Sequence, residues 1–154
     1  MLWIDITEPT IEELSPLGSL FGYHPLAIED SVRAEERPKI DDYDKYLFVI
    51  AKTMNAGEEG ISTGQLSIFV SKYMLITIHE KQLKRIEELK ERILKKKPLI
   101  LKGKEDFLLY RILDAIVDNY IAVIEDFEDK MDENQTHSQN HQRAAGCGGQ
   151  VREK

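Results

Sequence analysis

HPLAIEDSVRAEERPKIDDYDKYLFVI, residues His24 to Ile50, decides how this chain is read. Pro25 suits a first helical position, because the missing amide proton has no intrahelical partner there in any case. A short helix is therefore expected from Pro25 to about Val32, capped by His24 and ending on two carboxylates, Glu29 and Asp30. The Arg37–Pro38 step disfavours helix and opens a charged connector. Within it, Lys39 stands beside Asp41 and Asp42, where local ion pairs are worth little if exposed. Tyr46-Leu47-Phe48-Val49-Ile50 then reads as a buried strand.

Upstream, Trp3 to Thr7 alternates like a strand and Glu8-Pro9 ends it. Thr10, with Glu13 three positions on, is a capping box for a helix over Ile11 to about Phe21, which Pro16 should kink or break and Gly22 should stop. Downstream, three strands are expected over Tyr46–Met54, Gln65–Val70 and Met74–His79, with an exposed loop at Asn55–Gly60 and a tight turn at Ser71–Tyr73. From Gln82 to about Lys97, Leu83, Ile86, Leu89, Ile93 and Leu94 recur at helical spacing among charges, which marks an amphipathic surface helix.

The longest periodic run extends from Lys104 to about Glu133, with Gly103 marking its start. Its apolar positions, among them Leu109, Ile112, Ile116, Val117, Tyr120 and Ile124, fall on one broad face. Tyr110, Tyr120 and Phe127 are expected to pack in the core. From Asn134 large apolar residues and periodicity disappear, so residues 134–154 are expected to be a disordered, non-native tail following one domain over 1–133. The fold expected is α/β, a mixed central sheet with helices on both faces and a long C-terminal helix.

The bulk numbers bound the function. A chain of 154 residues, 42% hydrophobic and 32% charged, can bury one sizeable core. A formal charge of -7 argues against a nucleic-acid surface and is compatible with divalent cations, as it is with plain solubility. Cys147 is the only cysteine, which excludes an intramolecular disulfide and a zinc site built on several thiolates. No stretch approaches the roughly 18–20 apolar residues that cross a bilayer, and the start, Met1-Leu2-Trp3-Ile4-Asp5, lacks the features of a signal peptide. The chain as given is expected to be soluble and unable to form a pore. No Ser–His–Asp company reads as a catalytic triad, and no enzyme is expected.

Five acidic residues of the long helix, Asp114, Asp118, Glu125, Asp129 and Asp132, are spaced to share one face, within a roughly 60° arc of an ideal helix. Like charges at this spacing destabilise a helix. The stripe is either a solvated face or one compensated by bases from a neighbour or by a divalent cation, and the residues alone leave both open. His79-Glu80 could take a metal with one more donor. His137 and His141 stand at i,i+4, a zinc-clamping spacing if their segment were helical, which its Gln, Ser, Asn and Gly content argues against.

Three separated segments, His24–Ile50, Trp3–Thr10 (WIDITEPT) and Leu108–Glu133 (LLYRILDAIVDNYIAVIEDFEDKMDE), resemble in order the amino-terminal cytosolic domain of the CorA family of magnesium transporters. The resemblance spans roughly the first 133 residues. It implies a regulatory domain that senses Mg²⁺, with Co²⁺ as a mimic, on the cytoplasmic side of the inner membrane. The parent would be a homopentamer that meets the membrane only through segments this chain lacks. The cation ligands it implies are Glu29, Asp30 and Asp114, with Asp118 on the same stripe; they should lie near one surface, and a further acidic residue would come from a neighbouring subunit's stalk. It also implies strands upstream of Trp3. Two rivals stay open: the cytosolic domain of a zinc-transporting relative, and an acidic scaffold that binds a protein partner without metal.

Overall fold

The computed structural model describes residues 1–33, 36–57, 60–96 and 105–146, and for residues 56, 96, 105 and 132–146 the backbone alone. Among the described residues five strands form one sheet: β1 (Leu2–Thr7), β2 (Lys39–Asp42), β3 (Tyr46–Gly57), β4 (Gly60–Ser71) and β5 (Met74–His79). Their order is β1-β5-β4-β3-β2. The β1–β5 pair is parallel and the other three pairs are antiparallel, so the sheet is mixed. Among the described residues four helices complete the fold: α1 (Ile11–Phe21), α2 (Pro25–Val32), α3 (Lys84–Lys96) and α4 (Glu105–Gly146).

Strand alternation divides the core into two layers. Phe48, Ile50, Phe69, Ile76 and Ile78 point to one face and are covered by Leu14 of α1 and Ala27 and Ile28 of α2. Val49, Leu66, Ile68, Val70 and Leu75 point to the other and meet Ile86 and Leu89 of α3 and Leu108, Ile112 and Ile116 of α4. The expected sandwich, with helices on both faces, is what the chain builds.

The helix starts follow the expected chemistry. Thr10 and Glu13 form a complete capping box on α1, and Gly22 closes the helix in the left-handed region at φ 73. Pro16 does not break α1, which runs through it. His24 caps α2 as expected, its Nδ1 accepting from the Leu26 N–H at 3.2 Å.

Four local expectations are corrected. Lys39–Asp42 is not an irregular connector but an edge strand, β2. Its one apolar residue, Ile40, is 69% exposed, so burial left no pattern to read there. The expected loop at Asn55–Gly60 is mostly strand, because β3 and β4 stay paired out to Gly57↔Gly60. Residues 58 and 59 lie outside the described residues. Tyr110 and Phe127 are not core: they are exposed, as are Val117 and Ile124. The apolar face of α4 is wider than the strip the sheet and α3 cover. Finally, the helical backbone of α4 does not end near Asn134 but continues to Gly146. No Pro or Gly interrupts the sequence before that residue, and its Gln, Arg and Ala are good helix formers. His137 and His141 lie on this helical backbone. Gly103 and Cys147 lie outside the described residues.

Candidate metal centre

Glu29 and Asp30 occupy the last turn of α2, where the helix dipole is negative and carboxylates are disfavoured. The fold holds them there from below. Gln65 Nε2 donates to the Asp30 carbonyl at 2.8 Å and Ser67 Oγ donates to the Ser31 carbonyl at 3.3 Å. These buried β4 side chains satisfy carbonyls that a helix end otherwise leaves unpaired.

Each carboxylate has an internal cation. Arg33 reaches Glu29 Oε1 at 2.5 Å across one helical turn. Lys39 Nζ lies 2.8 Å from Asp30 Oδ2 and 3.0 Å from Asp41 Oδ2, and 5.7 Å from the centre of the Phe48 ring. Hydrogen bonds to Asp30 and then Asp41 raise the Lys39 pKa above its usual value, so the ammonium is charged throughout the physiological range.

Asp114 and Asp118 belong to α4. Arg111 donates to Asp114 Oδ2 at 2.9 Å. Both aspartates line a shallow polar groove between α3 and α4, shared with Arg85, Arg92 and Arg111. Along the stripe, Asp118, Glu125 and Asp129 are exposed. Among the described residues the ion pair on the stripe is thus with a base of the same helix, while Arg85 and Arg92 of α3 line the groove beside Asp114 and Asp118. The side chain of Asp132 lies outside the described residues.

The expectation that Glu29, Asp30 and Asp114 share one surface is corrected within a single chain. α2 packs on one face of the sheet and α4 on the other. The five-stranded sheet stands between the two halves. Among the described residues no group of three or more His, Cys, Asp or Glu side chains is placed to hold a metal ion. His79 is not free to be a ligand: Nδ1 is 2.8 Å from the Lys81 carbonyl and Nε2 is 3.0 Å from Asp5 Oδ1.

The sequence reading missed two features. One is the buried charge cluster under α3. Asp5 of β1 accepts from Thr77 and His79 of β5 and from Lys90 of α3. Burial by itself pushes the Asp5 carboxyl up, but the bonds from His79, Lys90 and Thr77 outweigh it and hold the pKa at about 2. No spacing signal could have found this cluster, whose members lie far apart in the chain. The other is the set of internal cations. Glu29–Arg33 and Arg111–Asp114 were legible as helix pairs at i,i+4 and i,i+3. The local pair of Lys39 with Asp41 was legible too, and it forms at 3.0 Å; the reach of Lys39 to Asp30 was not, because it depends on β2 being a strand packed beside α2. A cavity of about 340 Å³ opens where β1 and β5 end and is lined by Glu8, Pro9, Arg33, Gln65, His79 and Lys81 among others.

The family model described as "CorA-like Mg2+ transporter protein" matches residues 1–147. The chain belongs to the CorA-like family. The Cobalt/magnesium transport protein CorA of Thermotoga maritima is 31% identical over 133 residues, covering 84% of this chain and 38% of that protein. The Putative metal ion transporter YfjQ of Bacillus subtilis is 34% identical over 131 residues, covering 85% of this chain and 40% of the relative. The chain therefore spans about two fifths of the length of these CorA-like relatives. The soluble domain of CorA from Methanocaldococcus jannaschii superposes with a TM-score of 0.75 at 30% identity, covering 88% of this chain and 54% of that one. The cytoplasmic domain of ZntB from Vibrio parahaemolyticus, at 15% identity and a TM-score of 0.70 over 85% of this chain and 53% of that one, shares the fold alone. Among the described residues no helix is long and apolar enough to cross a membrane.

Proposed function

We propose that this chain is the cytosolic regulatory domain of a divalent-cation transporter and that it senses Mg²⁺, with Co²⁺ as a mimic, at the boundary between adjacent subunits of a homopentamer. One observation carries this reading. The two acidic halves, Glu29/Asp30 and Asp114/Asp118, sit on opposite layers of the sandwich. They cannot complete one site in one chain, but in a ring the α2 side of one subunit can meet the α4 side of the next. A cation shared there would screen the facing carboxylates and hold the ring closed. When Mg²⁺ falls, repulsion would loosen the boundary and favour the conducting state. Mg²⁺ suits such a site because it prefers oxygen ligands and keeps several of its waters. The strength of the switch is the difference in cation affinity between the two states. The step makes and breaks no covalent bond.

Thermal unfolding across micromolar to tens-of-millimolar Mg²⁺ tests the reading. A ligand at 100 times its Kd that binds only the folded state adds about 2.7 kcal/mol. For a chain of this size that is a midpoint rise on the order of 5–10 °C. The rise should vanish in the D30N/D114N double variant, and an equal rise in that variant overturns the reading. A second reading, an acidic scaffold without metal, is favoured by the internal cations on Glu29, Asp30 and Asp114, and gives a flat response. A response to Zn²⁺ but not Mg²⁺ would instead point to a zinc-transporting relative.

A further inference from the structure

We propose that the ammonium of Lys39 is a tethered counter-ion that occupies the cation position at Asp30 and Asp41, so that a divalent cation binds there by displacing it. The inference rests on the cation-sensing reading above and adds what sets its threshold.

The geometry is that of a cation already in place. Two carboxylates from different elements, Asp30 of α2 and Asp41 of β2, converge on one positive atom at 2.8 and 3.0 Å. Lys39 and Asp41 lie two residues apart on a strand and so share one face, and that spacing delivers the ammonium and its second carboxylate together. The register Lys39↔Ile50 fixes the backbone, and the contact with the Phe48 ring adds a third attraction to the head group. A small hard cation at the same point would meet two carboxylate oxygens and fill its remaining positions with water or with oxygens from a neighbouring subunit.

Displacement is physically accessible at this lysine. Its side chain is 31% exposed while Asp30 is only 18% exposed, so the head group has a path toward water. Lysine carries a compact charge on a flexible stem, unlike the planar fork of Arg33 or Arg111. With the ammonium in place the position carries one net negative charge, and without it two. The cation therefore competes with a charge the chain supplies itself, and the response is set to higher concentrations than two bare carboxylates would give. Arg33 and Arg111 make comparable pairs, but among the described residues each is ion-paired with a single carboxylate one helical turn away, Glu29 and Asp114, and with none from a second element.

Mn²⁺, followed by the loss of its free electron-paramagnetic-resonance signal, is the probe. Titrations compare the wild type with D30N, K39M, K39Q and K39M/D30N, each checked for native circular dichroism, K39Q being the milder change. Removing the ammonium should tighten Mn²⁺ binding by on the order of tenfold, or reveal binding too weak to detect in the wild type, and the added D30N should abolish the gain. If wild-type binding is lost in D30N but is unchanged or weakened in both Lys39 variants, the counter-ion role is overturned and the cation-sensing reading stands. If neither the wild type nor any Lys39 variant takes up Mn²⁺, both are overturned.

Discussion

Replacing Asp5 by Ala should lower the stability of the domain by about 3 kcal/mol, the low end of the range for a buried ion pair stripped of one partner. The Asp5 side chain is 8% exposed and that of His79 is fully buried, whereas Lys90 retains 28% exposure. On losing the carboxylate, Lys90 can turn its head toward water and Thr77 keeps the Ile4 carbonyl as an acceptor, but His79 stays beneath α3 with Nε2 stripped of its partner. That asymmetry keeps the cost below the upper end. Chemical denaturation at neutral pH measures it, and a loss under 1 kcal/mol would show that the cluster contributes little.

The same residue fixes a pH dependence. Its folded pKa of about 2 lies below the reference value of 3.8. A depressed carboxyl contributes stability that is present above the unfolded pKa and is lost as pH falls through the folded one. The window is therefore from about pH 4 down to about pH 2, and the contribution lost is about 2 kcal/mol. In the Asp5→Asn variant this portion of the acid limb should flatten. A variant that keeps the full wild-type slope would assign the acid sensitivity elsewhere.

Phe69→Ala should cost about 3–5 kcal/mol, the range for truncating a buried aromatic ring. Phe69 is fully buried and stacks on Tyr23 at 4.4 Å between ring centres, with Phe48 at 4.7 Å and Tyr46 at 5.8 Å. The same cluster includes Ala27 and Ile28 of α2, so the cavity would also loosen the helix that carries Glu29 and Asp30. Ile40→Ala on the exposed edge strand is the control and should stay within about 0.5 kcal/mol of the wild type. Equal effects of the two substitutions would contradict the layer assignment.

What could be read from the chain and what could not divide along physical lines. Elements whose signal is local were legible. Thr10 and Glu13 announce α1, His24 and Pro25 announce α2, and the Val, Ile and Phe of Tyr46–Ile50 and Met74–His79 announce central strands. β2 was not, because an edge strand of Lys, Ile, Asp and Asp buries nothing that alternation could reveal. The breadth of the α4 face was legible, but not that α3 and the sheet cover only part of it, leaving Tyr110, Val117 and Ile124 outside. The candidate ligands were named by resemblance to a family. Their separation onto two layers depends on the strand order and on which helix covers which face, and neither is encoded in local spacing. Lys39 at Asp30 and Lys90 at Asp5 are likewise products of tertiary placement.

That separation makes the central claim testable with two single variants. If each cation site takes Asp30 from one subunit and Asp114 from the next, D30N alone and D114N alone have no boundary with both halves intact. An equimolar mixture has one such boundary in every mixed pair. Sedimentation velocity in Mg²⁺ and in chelator measures this directly. The expected result is Mg²⁺-dependent association of the wild type, none for either variant alone, and recovery of a paired species in the mixture. Association of D114N alone to the wild-type extent, or a wild type indifferent to Mg²⁺, would contradict the account.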